Sequence, residues 1–377
     1  MSILVLGGDG YVGWPLSVKL ALRHPNTPVH IVDNLGRRAW VSRCGGNSVT
    51  PIEEPTLRVD AFKKVFKQNN LHFMELDVCS PELEALVREL RPTVVYHLAQ
   101  QCSAPYSMMG VEEAVFTVQN NEVGNMRVLW AVRQAAPDAH LIKLGTFGEY
   151  AKGGIDVAEG YFLPEYRGKK ANRPMPYPRA ADDIYHASKI NDTNYIAIAC
   201  RKWNLRVTDV MQSTIFGVST PEIERHPSLY TRFDYDGVWG TVVNRFMAQT
   251  ILGLPMSVYG TGLQRTGLMA LEDAVGSLAE LADRPAERGE HRVINHVTER
   301  DPCINDIAER VAEVGRSNGY HPEIRRGDYN PRGENDAEKE VYTVENHYVS
   351  SHVSHTPFES VLKTMFPQVA RFSHRIR

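Results

Sequence analysis

At 377 residues, 42% hydrophobic and 23% charged, the chain has the composition of a globular protein long enough for a large core and more than one lobe. Its 42 Lys+Arg are more than matched by 45 Asp+Glu, which excludes an electrostatic nucleic-acid surface. There is no signal-peptide pattern and no apolar run near the roughly 20 residues that span a bilayer, and five scattered cysteines without a CxxC pair point to reduced thiols, a cytoplasmic setting and no metal site.

The first half alternates strand-like and helix-like segments, as a parallel α/β sheet does. Ile3–Leu6 is an apolar run ending in glycines. A helix is expected from about Trp14 to Arg23 and a second strand over Val29–Val32. Phe73–Leu76, Thr93–Leu98 and Leu141–Leu144 read as further strands buried on both faces. After Gly217 the pattern becomes irregular. The expectation is therefore a Rossmann-type doubly wound sheet over 1–217 and a smaller ligand-closing lobe over 218–377, with a strand near 289–297 returning to the first.

Gly7-Gly8-Asp9-Gly10-Tyr11-Val12-Gly13 satisfies GxGxxG between a strand and a helix, with Asp33 twenty residues after Gly13 at the end of the next strand. Such glycines let the backbone approach a pyrophosphate whose charge sits on the helix N-terminus. Asp33 can accept both ribose hydroxyls and repels a 2′-phosphate, which favours NAD over NADP. Arg37 and Arg38 are placed to cover the adenine or the pyrophosphate. Asp77 ends the third strand, either meeting the adenine amino group or capping the next helix. Asn34, Val78, Leu98, Ala99 and Gln101, at or just past strand ends, complete the expected cofactor surface.

Tyr185-His186-Ala187-Ser188-Lys189 places a phenol and an ammonium on one helical face. An ordinary tyrosine, with pKa about 10, is a poor base; a neighbouring ammonium and a positive nicotinamide both favour its phenolate. Thr146, at the end of the strand before it, adds a hydroxyl that can bridge substrate and phenol. The three together form a hydride-transfer set.

These segments resemble the extended short-chain dehydrogenases, such as UDP-glucose 4-epimerase, and most closely the UDP-sulfoquinovose synthases. The likeness rests on GGDGYVGW, IVDNLGRR, TPIEEP, QCSAPYSM, LGTFGEY, YHASK and FDYDGVWGTVVNRF, and reaches to about Tyr348. It implies a nucleoside-diphosphate sugar as substrate, oxidised to a ketone and reduced again. Thr146, Tyr185 and Lys189 match the catalytic trio, and Glu149 and His186 match positions suited to acid–base work at a neighbouring carbon. Asn121 and Gln212 match residues beside the cofactor. Gln212, Ser213, Thr241, Asn244, Val258, Tyr259, Arg265 and Arg332 match the sugar-nucleotide side, Arg332 as a diphosphate clamp. The helices containing 113–134 and 182–202 match those of a homodimer's four-helix bundle.

The departures lie in the pocket. Where the synthases have Glu-Gln-Arg, this chain has Gln100-Gln101-Cys102, without the basic residue expected to hold sulfite. Their Thr-Arg-Gly-Tyr becomes Arg265-Thr266-Gly267-Leu268, a shift that flips a strand side chain unless a bulge intervenes. Their following Asp is Ala270. The expectation is an epimerase for a different, bulkier sugar, such as the octose of lincosamide antibiotic assembly. The alternatives are sulfoquinovose synthase itself, a dehydratase, or, from another class, a non-catalytic NAD-binding regulator.

Overall fold

A computed structural model describes residues 2–150, 155–327 and 343–376. Seven strands form one parallel sheet: β1 (Ile3–Leu6), β2 (Val29–Asp33), β3 (Leu71–Glu75), β4 (Val94–His97), β5 (His140–Leu144), β6 (Arg206–Gln212) and β7 (His291–His296). Their spatial order is β7-β6-β5-β4-β1-β2-β3. Every residue of β1 and β4 is buried, because helices cover both faces and leave the strands no solvated side. Helices Gly13–Arg23 and Leu271–Glu280 pack on one face through Trp14, Leu16, Leu20, Val275 and Leu278. Helices Glu82–Leu90, Gly124–Ala135 and Ile184–Trp203 cover the other through Leu86, Leu129 and Ile196.

The sheet reverses its winding between β1 and β4, so the crevice at their carboxyl ends is where such a fold receives a ligand. The turn after β1 is held tightly against the first helix. A Cβ on Gly13 would lie 2.1 Å from the Gly7 carbonyl oxygen, so only glycine permits this closeness.

A second core lies beyond β6, where helices Val242–Ile251, Ile304–Ser317 and Phe358–Ala370 pack around Phe216, Phe246 and Phe366. The chain does not stay there. Strand β7 returns to the first layer within the stretch expected to do so, and helix Leu271–Glu280, expected in the second lobe, returns with it. An excursion between β5 and helix Ile184–Trp203 carries two small antiparallel pairs, Tyr161–Phe162 with Met175–Pro176 and Glu165–Tyr166 with Lys169–Lys170. No helix among the described residues is long and apolar enough to cross a membrane.

Candidate active site

Two cavities open side by side at the carboxyl edge of the sheet. The first, about 250 Å³, is lined by Gly7, Gly10, Tyr11, Val12, Gly13, Asp33, Asn34, Arg37, Val78, Leu98, Ala99 and Asn244. The second, about 450 Å³, is lined by Thr146, Tyr185, His186, Lys189, Gln212, Ser213, Tyr259 and Arg265. Tyr11, Leu98, Gln100, Cys102, Leu144, Trp239 and Thr241 border both, so ligands in the two would touch.

The first cavity fits a dinucleotide. The glycine turn leads into the N-terminus of helix Gly13–Arg23, and the Asp33 carboxylate stands at the end of β2. Asp33 accepts the amides of Asp9 at 2.9 Å and Leu35 at 2.8 Å. Burial, with the Asp9 carboxylate nearby, still pushes it up to about 6. Arg37 lies on the Trp239 ring, 3.9 Å from its centroid, and bonds Asp234 at 2.9 Å.

Several residues expected at the cofactor are structural supports. The Asp9 side chain binds Arg38 at 2.8 and 2.9 Å and Arg58 at 2.6 Å; only its backbone belongs to the turn. Arg38 is thereby drawn away from the cavity. Asp77 accepts Asn34 at 2.8 Å and the Cys79 amide at 2.7 Å, so it neither lines the cavity nor caps helix Glu82–Leu90. Gln101 is buried against Ser103 and Thr117. Asn121 sits in a π-helical turn, Gln119–Val123, where it bonds both backbone groups of Gln101 and the Ser188 hydroxyl. The extra residue of that turn rotates the neighbouring Asn120 to the cavity instead.

Helix Ile184–Trp203 delivers Tyr185, His186 and Lys189 to the second cavity. Thr146 and Tyr185 line the same wall, and the hydroxyl favours the phenolate, yet burial holds that phenol well above its ordinary value. The Lys189 ammonium is bonded to the Leu144 carbonyl at 2.5 Å and to Gln100. Gln100 also bonds Asp192. Burial and nearby Lys143 lower Lys189, and burial raises Asp192.

Glu149 is the clearest departure from expectation. It is fully buried and borders neither cavity. It accepts the Thr146 amide at 3.1 Å, Thr193 at 3.0 Å and Arg179, and lies 3.6 Å from Lys143. Lys143, pointing inward from β5, is also 3.5 Å from Asp209 on β6. Burial opposes its charge, but Asp209 and Glu149 together hold it above the ordinary lysine value. Glu149 therefore props the Thr146 turn from behind.

On the sugar-nucleotide side, Val258 is buried in a strand pairing with Ile324–Arg326, and only its neighbour Tyr259 reaches the cavity. Arg265 lines the cavity despite its shifted place, bonding the Asp301 carbonyl at 2.6 Å. Arg332 lies outside the described residues. Sequence reasoning missed Arg245. It is buried, lines the cavity and stacks on Tyr259 with its guanidinium carbon 4.4 Å from the ring centroid. The available signal was an arginine on the apolar face of VVNRFMAQTI, since a buried guanidinium demands an anionic or aromatic counterpart. Among the described residues, the second cavity's lining holds Arg245, Arg265, Lys189 and His186 but no carboxylate. That lining suits an anionic ligand.

The sequence model of the NAD dependent epimerase/dehydratase family matches residues 3–295. A UDP-sulfoquinovose synthase of Sulfolobus acidocaldarius is 39% identical over 352 residues, 93% of this chain and 87% of that protein. A Thermotoga maritima UDP-glucose 4-epimerase solved with UDP-glucose superposes with a TM-score of 0.68 at 21% identity, covering 98% of this chain and 99% of that one. A Bacillus cereus UDP-glucuronic acid 4-epimerase, solved with UDP-glucuronic acid and NAD, gives 0.68 at 16% identity over the same shares.

Proposed function

Because the chain belongs to the NAD-dependent epimerase/dehydratase family, we propose that it is a nucleotide-sugar epimerase working through transient oxidation of a sugar hydroxyl to a ketone. The observation that carries this reading is the junction of the two cavities. A Thr146–Tyr185–Lys189 set stands beside the glycine turn, facing a chamber whose lining, among the described residues, holds two arginines and no carboxylate. Bound NAD supplies the hydride acceptor and, once reduced, the donor that restores the alcohol.

The chain's own groups divide the remaining work. Tyr185 takes the carbinol proton, Thr146 positions the sugar oxygen, and Lys189 holds the nicotinamide ribose. Arg245 and Arg265 take the diphosphate, with Tyr259 beside the base. A pure binding protein has no need of the phenol and hydroxyl that line the chamber wall, which disfavours a regulator. We also infer a cytoplasmic homodimer, from five free thiols and from apolar side chains exposed on helices Val111–Val118 and Ile184–Trp203.

The test is to add UDP- and GDP-sugars to NAD-saturated protein and follow NADH absorbance and product stereochemistry. Epimer formation from at least one sugar is expected. A protein that binds no NAD and converts none of them contradicts the reading. A second reading, synthesis of a sulfonated sugar nucleotide, is supported by the 39% identity to the Sulfolobus synthase. Cys102 in place of an arginine speaks against it, and incubation with UDP-glucose and sulfite separates the two by product mass.

A further inference from the structure

With Glu149 turned inward, the chamber has no carboxylate among the described residues for a second proton transfer. A histidine held by a different carboxylate stands in its place. Asp183 is the N-cap of helix Ile184–Trp203, and its two oxygens do different jobs. Oδ1 accepts the backbone N–H of His186 at 2.9 Å, and Oδ2 meets Nδ1 of the same residue at 2.6 Å. A carboxylate oxygen can only accept, so this contact puts a proton on Nδ1 and leaves the lone pair of neutral imidazole on Nε2. Nε2 lies against Gly148, and both residues wall the chamber. The ring also lies beside Tyr185, with centroids 4.8 Å apart. The two proton-transfer groups thus stand together on one wall.

We propose that Asp183 is a positioning residue that sets the His186 tautomer, making Nε2 the base for the C–H bond next to the sugar ketone. This deepens the oxidation reading above and rests on it, because only a ketone makes that hydrogen acidic. Nε2 takes the proton; the C–H electron pair becomes the enolate double bond, and the carbonyl pair moves onto oxygen beside Thr146 and Tyr185. Return of a proton to that carbon restores the ketone. The neighbouring carbon is thereby open to exchange with solvent.

The discriminating variant is Asp183→Asn. The helix N–H fixes the amide oxygen toward the backbone, so the amide NH₂ faces Nδ1 and donates to it. The tautomer then reverses while the cap is kept, as a carboxylate-to-amide change does in a Ser-His-Asp triad at a cost of about 10⁴-fold in rate. Nitrogen NMR of ¹⁵N-histidine protein saturated with NAD, with His186→Gln for assignment, reads the tautomer directly. It should be Nδ1–H in the native protein and Nε2–H in the variant.

Mass spectrometry after incubation with UDP-glucose in D₂O then reads exchange. Deuterium uptake should fall at least about a hundredfold in Asp183→Asn, and NADH formation far less. Asp183→Ser, which caps the helix without gripping the ring, should also lose exchange. An Nε2–H tautomer in the native protein, or native exchange rates in both variants, overturns the proposal. If no NADH forms with UDP-glucose or UDP-glucuronic acid, the oxidation reading fails for these sugars, and the tautomer measurement still decides the role of Asp183.

Discussion

A side chain at position 148 and the imidazole of His186 would occupy the same space: a Cβ on Gly148 falls 2.0 Å from Nε2. The glycine is therefore part of how the histidine reaches the chamber. Gly148→Ala should push the ring off its Asp183 contact. The ring is about one-fifth exposed and can yield toward solvent, so the stability loss should stay near 1 kcal/mol, the low end for overpacking. Solvent exchange into the sugar should fall at least tenfold, roughly the 1.4 kcal/mol of one lost positioning contact. A Gly148→Ala protein that melts normally and exchanges at the native rate would show that the ring has no need of that place.

Tyr185→Phe removes one oxygen and leaves the ring and the Lys189 contacts intact. Loss of such an acid–base group costs about 10²- to 10⁴-fold in rate, roughly 3 to 5 kcal/mol. NAD affinity, by calorimetry, should barely change. Thr146→Ala should cost less, and Lys189→Ala should harm both rate and affinity. A Tyr185→Phe enzyme keeping more than about a tenth of the native rate, with chemistry limiting, contradicts the assignment.

The buried ion group behind Thr146 yields a stability prediction. Glu149→Leu would leave Arg179 and Lys143 short of their shared counter-charge inside the protein. Breaking a buried pair on one side typically costs about 3–5 kcal/mol, and urea unfolding should show a loss of that size. Glu149→Gln keeps the oxygen that accepts the Thr146 amide and should cost less. If Glu149→Leu is as stable as the native chain, the cluster is not holding the turn.

Asp33 links pH to the cofactor. Burial and nearby Asp9 push it up to about 6, and a ribose donating to its oxygens prefers the ionised form. NAD affinity should therefore weaken as pH falls through about 6, by up to tenfold per unit. The effect on folding has the opposite sign. The folded value lies above the unfolded one, so this group's stabilising contribution is present at low pH and lost as pH rises through about 6. Calorimetric titrations at several pH values should show the slope, and Asp33→Asn should flatten it.

Local chemistry made much of this legible in advance. Apolar runs give all five amino-terminal strands within two residues, because β1 and β4 are buried along their whole length. The expected burial of the third strand is not met, since β3 is the sheet edge and leaves His72, Met74 and Glu75 exposed. YxxxK on a helix and Thr146 at a strand end carried the trio. What the sequence did not disclose depended on long-range partners. Asp9 reads as part of the cofactor turn, Glu149 as an acid–base candidate and Lys143 as nothing in particular. Their structural roles appear only when Arg58, Arg179 and Asp209 are brought against them from 49, 30 and 66 positions away. The π-helical turn that buries Asn121 and presents Asn120 has no strong local signature either. Asp183 could have been found: an acid three residues before a histidine, at a helix start, is a capping pattern with a second use.

The last prediction concerns assembly. Val111, Val115 and Val118 recur at helical spacing, and with Trp130 and Ile198 they leave apolar surface exposed on three neighbouring helices. A second copy related by a twofold axis would cover this face, and each residue would then be buried twice. Full burial of one valine is worth about 1.5–3 kcal/mol, so replacing Val115 by a charge counts in duplicate. Light scattering should give a dimer mass for the native chain at micromolar concentration and a monomer mass for Val115→Glu. Far-UV circular dichroism should be unchanged, since the side chain is half exposed within one subunit. NAD binding should survive in the monomer, because neither cavity includes this face. A native chain that scatters as a monomer would remove the dimer from the account, and a Val115→Glu dimer would move the interface elsewhere.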